Sequence, residues 1–152
     1  MKHDCNVSVI FRVDIIPSKN HQDLSFFRLS FCLQKKRLIQ LYGKNQLSNN
    51  KLRIAEEFAL GKSLTQLASE MGIAKATAEV YAIDCLAAGR KIDHEQLASF
   101  LALTADAFQR IKVTILSNED NRLRTIRDSL SEEFCYNQIR FVLACLIHEL
   151  EL

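Results

Sequence analysis

Asp93 and His94 are the closest approach to a catalytic pair in this 152-residue chain. A carboxylate activates an imidazole by facing it, with a third group to be worked upon, and neighbours at the start of one helix do not meet that need. Five cysteines, Cys5, Cys32, Cys85, Cys135 and Cys145, are odd in number, scattered and without a Cys-x-x-Cys pair. His3, His21, His94 and His148 add no metal-ligand spacing to them. Reduced thiols are expected, with Cys85 in the core rather than acting as a nucleophile. No Gly-x-x-x-x-Gly-Lys-(Ser/Thr) phosphate loop is present. These residue types predict no catalytic centre, metal site, cofactor or small-molecule ligand.

Charge is the remaining chemistry. The net charge of +2 divides unevenly: residues 1–50 carry eight Lys/Arg against three Asp (+5), and residues 51–152 carry twelve against fifteen Asp/Glu (−3). A domain that grips phosphates by itself usually shows the opposite balance. Lys62, Lys75, Arg90 and Lys91 are candidate contacts to a nucleic acid, with Ala76 and Thr77 beside Lys75. Arg122, Arg124 and Arg127 form a second basic cluster. Lys35-Lys36-Arg37 reads as a solvated helix face.

The element that would position the first set is Ser63 to Ala88. Ser63 with Gln66 makes a capping box, and Leu64, Leu67, Ala68 and Met71 repeat at helical spacing. Gly72 suits a left-handed stop, Ile73 plugs the turn, and a second helix runs from Lys75 to Ala88. Small Ala68 lets the two helices cross closely. The pattern predicts a helix-turn-helix.

Around it, Lys51 to Ala59 supplies a preceding helix with Leu52, Ala55, Phe58 and Ala59 inward. Asp93 and Thr104 should cap two further helices, whose inward residues are Leu97, Phe100 and Leu101, then Phe108, Ile111 and Ile115. Ser117 with Asp120 marks another start, leading to Leu123, Ile126 and Leu130. The last helix begins near Cys135-Tyr136 and buries Ile139, Leu143 and Leu146. At the other end, Val7 to Ile15 alternates like a strand, and Leu24 to Leu33 is a second apolar run after a polar turn. They suggest a β-hairpin-like extension or a segment foreign to the domain, since SFFRLSFCLQ resembles a translated intron end. The expected fold is mostly α: a three-helix helix-turn-helix unit, a C-terminal helical subdomain, and an N-terminal extension. Residues 1–50 are read as extension and basic linker, and 51–152 as the domain. At 152 residues and 48% hydrophobic content, the chain can bury a core without disulfides or metals.

The segment from Leu52 to Leu150 resembles the helix-turn-helix domain near the C-terminus of RecQ-family helicases, including the Werner type. The resemblance rests on Phe58, Gly61-Lys62-Ser63-Leu64, Leu67-Ala68, Gly72-Ile73-Ala74, Thr77, Ala88-Gly89, Ile92-Asp93 and Phe134 to Arg140. It implies an accessory module of helicase or DNA-repair machinery, nuclear, without a motor of its own. Ala74 and Cys135 depart from the pattern by standing where helix starts usually carry a hydroxyl cap.

Three functions follow as expectations. The first is weak or structure-directed DNA contact, or docking onto a helicase or another DNA-processing protein. The second is a protein-interaction module alone, with Ala76, Val80 and Ile83 offering an apolar stripe and Arg122, Arg124 and Arg127 a second surface. The third, a sequence-specific regulator, is opposed by a helix with no Arg, Asn or Gln between Lys75 and Ala88 and with Glu79 facing the phosphates. The sequence predicts an intracellular protein with no secretory signal or membrane span.

Overall fold

In the computed structural model, which describes residues 24–43, 45–120, 122–131 and 133–150, the helix starts follow the local chemistry of the chain. Ser63 Oγ accepts the Gln66 amide at 3.1 Å. Gly72 adopts φ 63°, ψ 34°, and the Ile73 amide reaches back to the Ala68 carbonyl at 3.0 Å. This closure needs the left-handed backbone that glycine takes without a Cβ penalty. Asp93 caps with the Gln96 amide at 3.1 Å, and Thr104 with the Ala107 amide at 3.1 Å.

Eight helices result among the described residues: α1 (Leu24–Tyr42), α2 (Asn49–Ala59), α3 (Leu64–Met71), α4 (Lys75–Ala87), α5 (His94–Phe100), α6 (Ala105–Ser117), α7 (Leu123–Ser129) and α8 (Tyr136–Leu150). Helices α2, α3 and α4 form the three-helix unit, with α3 and α4 as the helix-turn-helix. Phe58, Leu64, Leu67, Ala78 and Ala82 are buried between them. Helix α8 is the axis of the remainder, packing on α1, α4, α6 and α7. Its residues Phe141 to Ile147 are all buried, the mark of a helix surrounded on every side. Phe141 meets Phe108 of α6 edge to face, ring centroids 6.2 Å apart.

Several local expectations are corrected. Leu24 to Leu33 belongs to the nineteen-residue helix α1 and is not a hairpin arm; Val7 to Ile15 lies outside the described residues. Leu38, Leu41 and Tyr42 of α1 enter the common core, so the core extends N-terminal to Lys51. Ala59 is exposed, and Ile54 takes an inward place. Ser117 ends α6, its Oγ donating back to the Val113 carbonyl at 2.7 Å, and α7 starts only at Leu123.

Helix α4 starts without help. Ala74 stands at its N-cap with φ −67°, ψ 148° and no side-chain hydrogen bond, close to the φ −75°, ψ 153° of Ser63. Because the backbone already suits a cap, Ala74→Ser should stabilise the protein by about 1 kcal/mol. An increased urea midpoint at unchanged m-value would show it.

Candidate nucleic-acid interface

The first turn of α4 is the part of the helix-turn-helix open to a nucleic acid. Lys75 and Ala76 are exposed and Thr77 is half-buried. The Lys75 ammonium lies 4.7 Å from the centroid of the Phe100 ring. With Ala74 offering no cap, the amides of this turn form the positive end of the helix dipole, an arrangement that suits a phosphate oxygen.

Beyond that turn the helix closes. Ala78 and the unbroken run Ala82 to Leu86 are buried, because α2 and α3 cover one side and α8 the other. Asn137 at the start of α8 pins the junction: its Nδ2 donates to Glu79 Oε2 at 2.8 Å and to the Ala76 carbonyl at 3.2 Å. The stripe expected to face a partner is therefore broken up. Ala76 remains exposed, Val80 is half-buried, and Ile83 is fully buried as core.

The basic candidates separate in space. Lys62 spends its charge on Glu70 at 3.1 Å and Glu57 at 3.4 Å. The Glu70 contact comes first among the causes that raise the Lys62 pKa. Desolvation by itself would raise the Glu57 carboxyl, but Arg53 and Lys62 outweigh it and hold the group below its usual range. Arg90 and Lys91 are exposed beyond Gly89, whose φ of 86° turns the chain at the far end of α4. A thirteen-residue helix separates them from Lys75 by about 20 Å. Arg122 and Arg124 are exposed on α7 and its approach, Arg124 lying 4.0 Å from Asp128. Arg127 is half-buried, its guanidinium 4.8 Å from the Tyr136 ring centroid. These three arginines do not make one open basic face.

Asp93 and His94 have structural surroundings. Asp93 is occupied by its cap, and His94 meets His148 edge-on with centroids 5.4 Å apart. Burial, then the facing His148, lowers the His94 pKa from its ordinary 6.5, against the pull of Asp93. The folded state thus disfavours the imidazolium, so this group withdraws stability as pH falls through 6.5 toward its folded pKa. Thermal melts between pH 7.5 and 5.5 should show a falling Tm that His94→Gln flattens.

No motif or spacing in the chain pointed to the polar centre behind α4. Tyr42 Oη donates to Asp84 Oδ1, and Lys51 Nζ lies 2.8 Å from Asp84 Oδ2. Asn45 Nδ2 donates to the Asp84 carbonyl at 2.7 Å, and Arg140 covers the Tyr42 ring at 5.7 Å. Burial, then Asp84, raises the Tyr42 pKa. Next to it, Cys85 donates to the Lys51 carbonyl at 3.2 Å, and its thiol is pushed up to about 11 by burial and by Asp84. That thiol stays protonated at neutral pH, the state in which cysteine is a poor nucleophile.

Among the described residues no group of three His, Cys, Asp or Glu is placed to hold a metal ion, and no helix is long and apolar enough to cross a membrane. No curated protein and no solved structure was found to match the chain. A helix-turn-helix suggests a nucleic-acid-binding or regulatory role. Residues 39–143, from the last turn of α1 into α8, match the family model described as a helix-turn-helix domain, and the chain belongs to that family.

Proposed function

We propose that this domain is a non-catalytic accessory helix-turn-helix module of helicase or DNA-repair type, contacting DNA weakly and without sequence readout. The observation that carries this reading is the enclosure of α4. A helix-turn-helix sets the N-terminal residues of its second helix against base edges in the major groove, so the side chains free at that end decide what can be read. Here Ala82 to Leu86 are buried and Asn137 holds Glu79, leaving Lys75, Ala76 and Thr77 at one end. A single turn with one cation touches a phosphate or two, not a run of bases. Sequence resemblance to the RecQ C-terminal region supports the helicase setting and, with it, a nuclear location.

Fluorescence anisotropy of the full chain with duplex, forked and single-stranded DNA tests this at two salt concentrations. Binding is expected in the non-specific range, on the order of 10⁻⁴–10⁻⁶ M, with a shallow salt slope of a few phosphates at most. Lys75→Glu should weaken it several-fold for every sequence alike. Tight binding to one duplex sequence, or none to any DNA at low salt, would overturn the reading.

A further inference from the structure

The opposite end of α4 carries a different surface. A groove of about 560 Å³ opens where the C-terminal turns of α1, α4 and α8 meet, lined by Ile39, Tyr42, Gly43, Ala87, Ala88 and Ile147, among others. That volume falls among those of sites that take ligands or the anchoring side chains of a peptide. Ile39 is 44% exposed, a large apolar side chain open to solvent at the groove's edge. Leu33 lies 60% exposed earlier on the same helix.

The described charges bordering this groove are mainly positive. Lys36 is exposed three residues before Ile39, and Lys35, half-buried, precedes it by four, spacings that bring side chains together on a helix. Arg90 and Lys91 are exposed two and three residues after Ala88. Of the described anions nearby, Asp84 is already matched by Lys51 at 2.8 Å, and Glu149, half-buried, follows Ile147 by two residues. Three helix C-termini oppose this potential with about half a negative charge each. Four cations outweigh these and Glu149, and the balance stays positive.

From this apolar floor and basic border we infer that the groove is a docking site for an acidic amphipathic helix of a partner protein. Apolar side chains at i, i+3, i+4 and i+7 would enter the groove, and Glu or Asp on the flanks would meet Lys36, Arg90 and Lys91. The assignment extends the accessory-module reading but rests on a different end of α4. DNA contact is placed at Lys75, about 20 Å away along the helix.

The test uses the full chain and two fluorescein-labelled synthetic helices with identical Leu and Phe anchors, one with Glu at the flanking positions and one with Lys. The Glu peptide should bind at least tenfold tighter than the Lys peptide, and added salt should narrow the difference. Ile39→Ser should weaken Glu-peptide binding about tenfold, and Arg90→Glu with Lys91→Glu by a similar factor, each with the parent's far-ultraviolet spectrum. Lys75→Glu should leave peptide binding unchanged, which separates failure here from failure of the DNA reading. Equal binding of the two peptides, no binding of either, or indifference to Ile39→Ser would overturn the assignment. So would displacement of the Glu peptide by duplex DNA, which would make the border a nucleic-acid patch. A dimer in sedimentation that Ile39→Ser abolishes would instead make the occupant a second copy, again overturning it.

Discussion

Asp84→Ala should cost about 3–5 kcal/mol, the range for removing one partner of a buried ion pair. Its carboxylate is 9% exposed and its ammonium partner on Lys51 17%. Taking the carboxylate away leaves the ammonium part-buried without its anion and the Tyr42 hydroxyl without its acceptor. It also loosens the contact between α2 and α4 that this pair spans, and the one between α1 and α4 made through Tyr42. At this chain length the loss corresponds to a fall in Tm on the order of 10 °C. Chemical denaturation should show a lower midpoint at unchanged slope. The triple variant Tyr42→Phe, Lys51→Met, Asp84→Leu should recover most of the loss, because it removes the unpaired groups together with the pair. A loss below 1 kcal/mol for Asp84→Ala would mean that the network is solvated and adds little to holding α4.

The residues that were legible in the sequence and those that were not differ in the range of the forces that place them. Ser63, Asp93, Thr104 and Gly72 act within three or four residues of themselves, and each does in the structure what its local chemistry predicts. Asp84 acts through Tyr42, Lys51 and Asn45, some thirty to forty positions away, and no spacing rule connects them. Leu24 to Leu33 is apolar at so many positions that both strand and helix periods fit it. The continuation settles the matter: Leu38, Leu41 and Tyr42 repeat at helical steps and bury in the common core. The candidate interface was half visible. Lys75 and the uncapped Ala74 could be found from sequence, whereas the cover that α8 places over the rest of α4 could not. A helix whose free face is hidden by an element some fifty residues downstream shows in its own sequence only as small and apolar residues spaced along it, here Ala78, Val80, Ala82, Ile83, Cys85 and Leu86.

That cover gives the sharpest contrast available on α4, between Ile83 and Val80. As a partner surface both would tolerate an acidic substitution and lose only binding. In the structure Ile83 is fully buried, while Val80 retains partial exposure. Ile83→Asp adds a carboxylate with nothing to pair it in an apolar setting and removes the packing of a large aliphatic side chain, two of the few mechanisms that exceed 4 kcal/mol. The variant is expected to be unfolded, or close to it, at 25 °C, with loss of helical ellipticity and of dispersed amide resonances. Val80→Asp can turn its carboxylate toward solvent and should cost about 1–2 kcal/mol, leaving the fold intact. Its DNA affinity should fall only slightly, since Lys75 and the open first turn are untouched. Were Ile83→Asp to fold with parental stability, α8 would not cover α4 in solution. The face that α8 hides would then be open to a nucleic acid, although the helix would still lack the Arg, Asn or Gln that pairs with base edges.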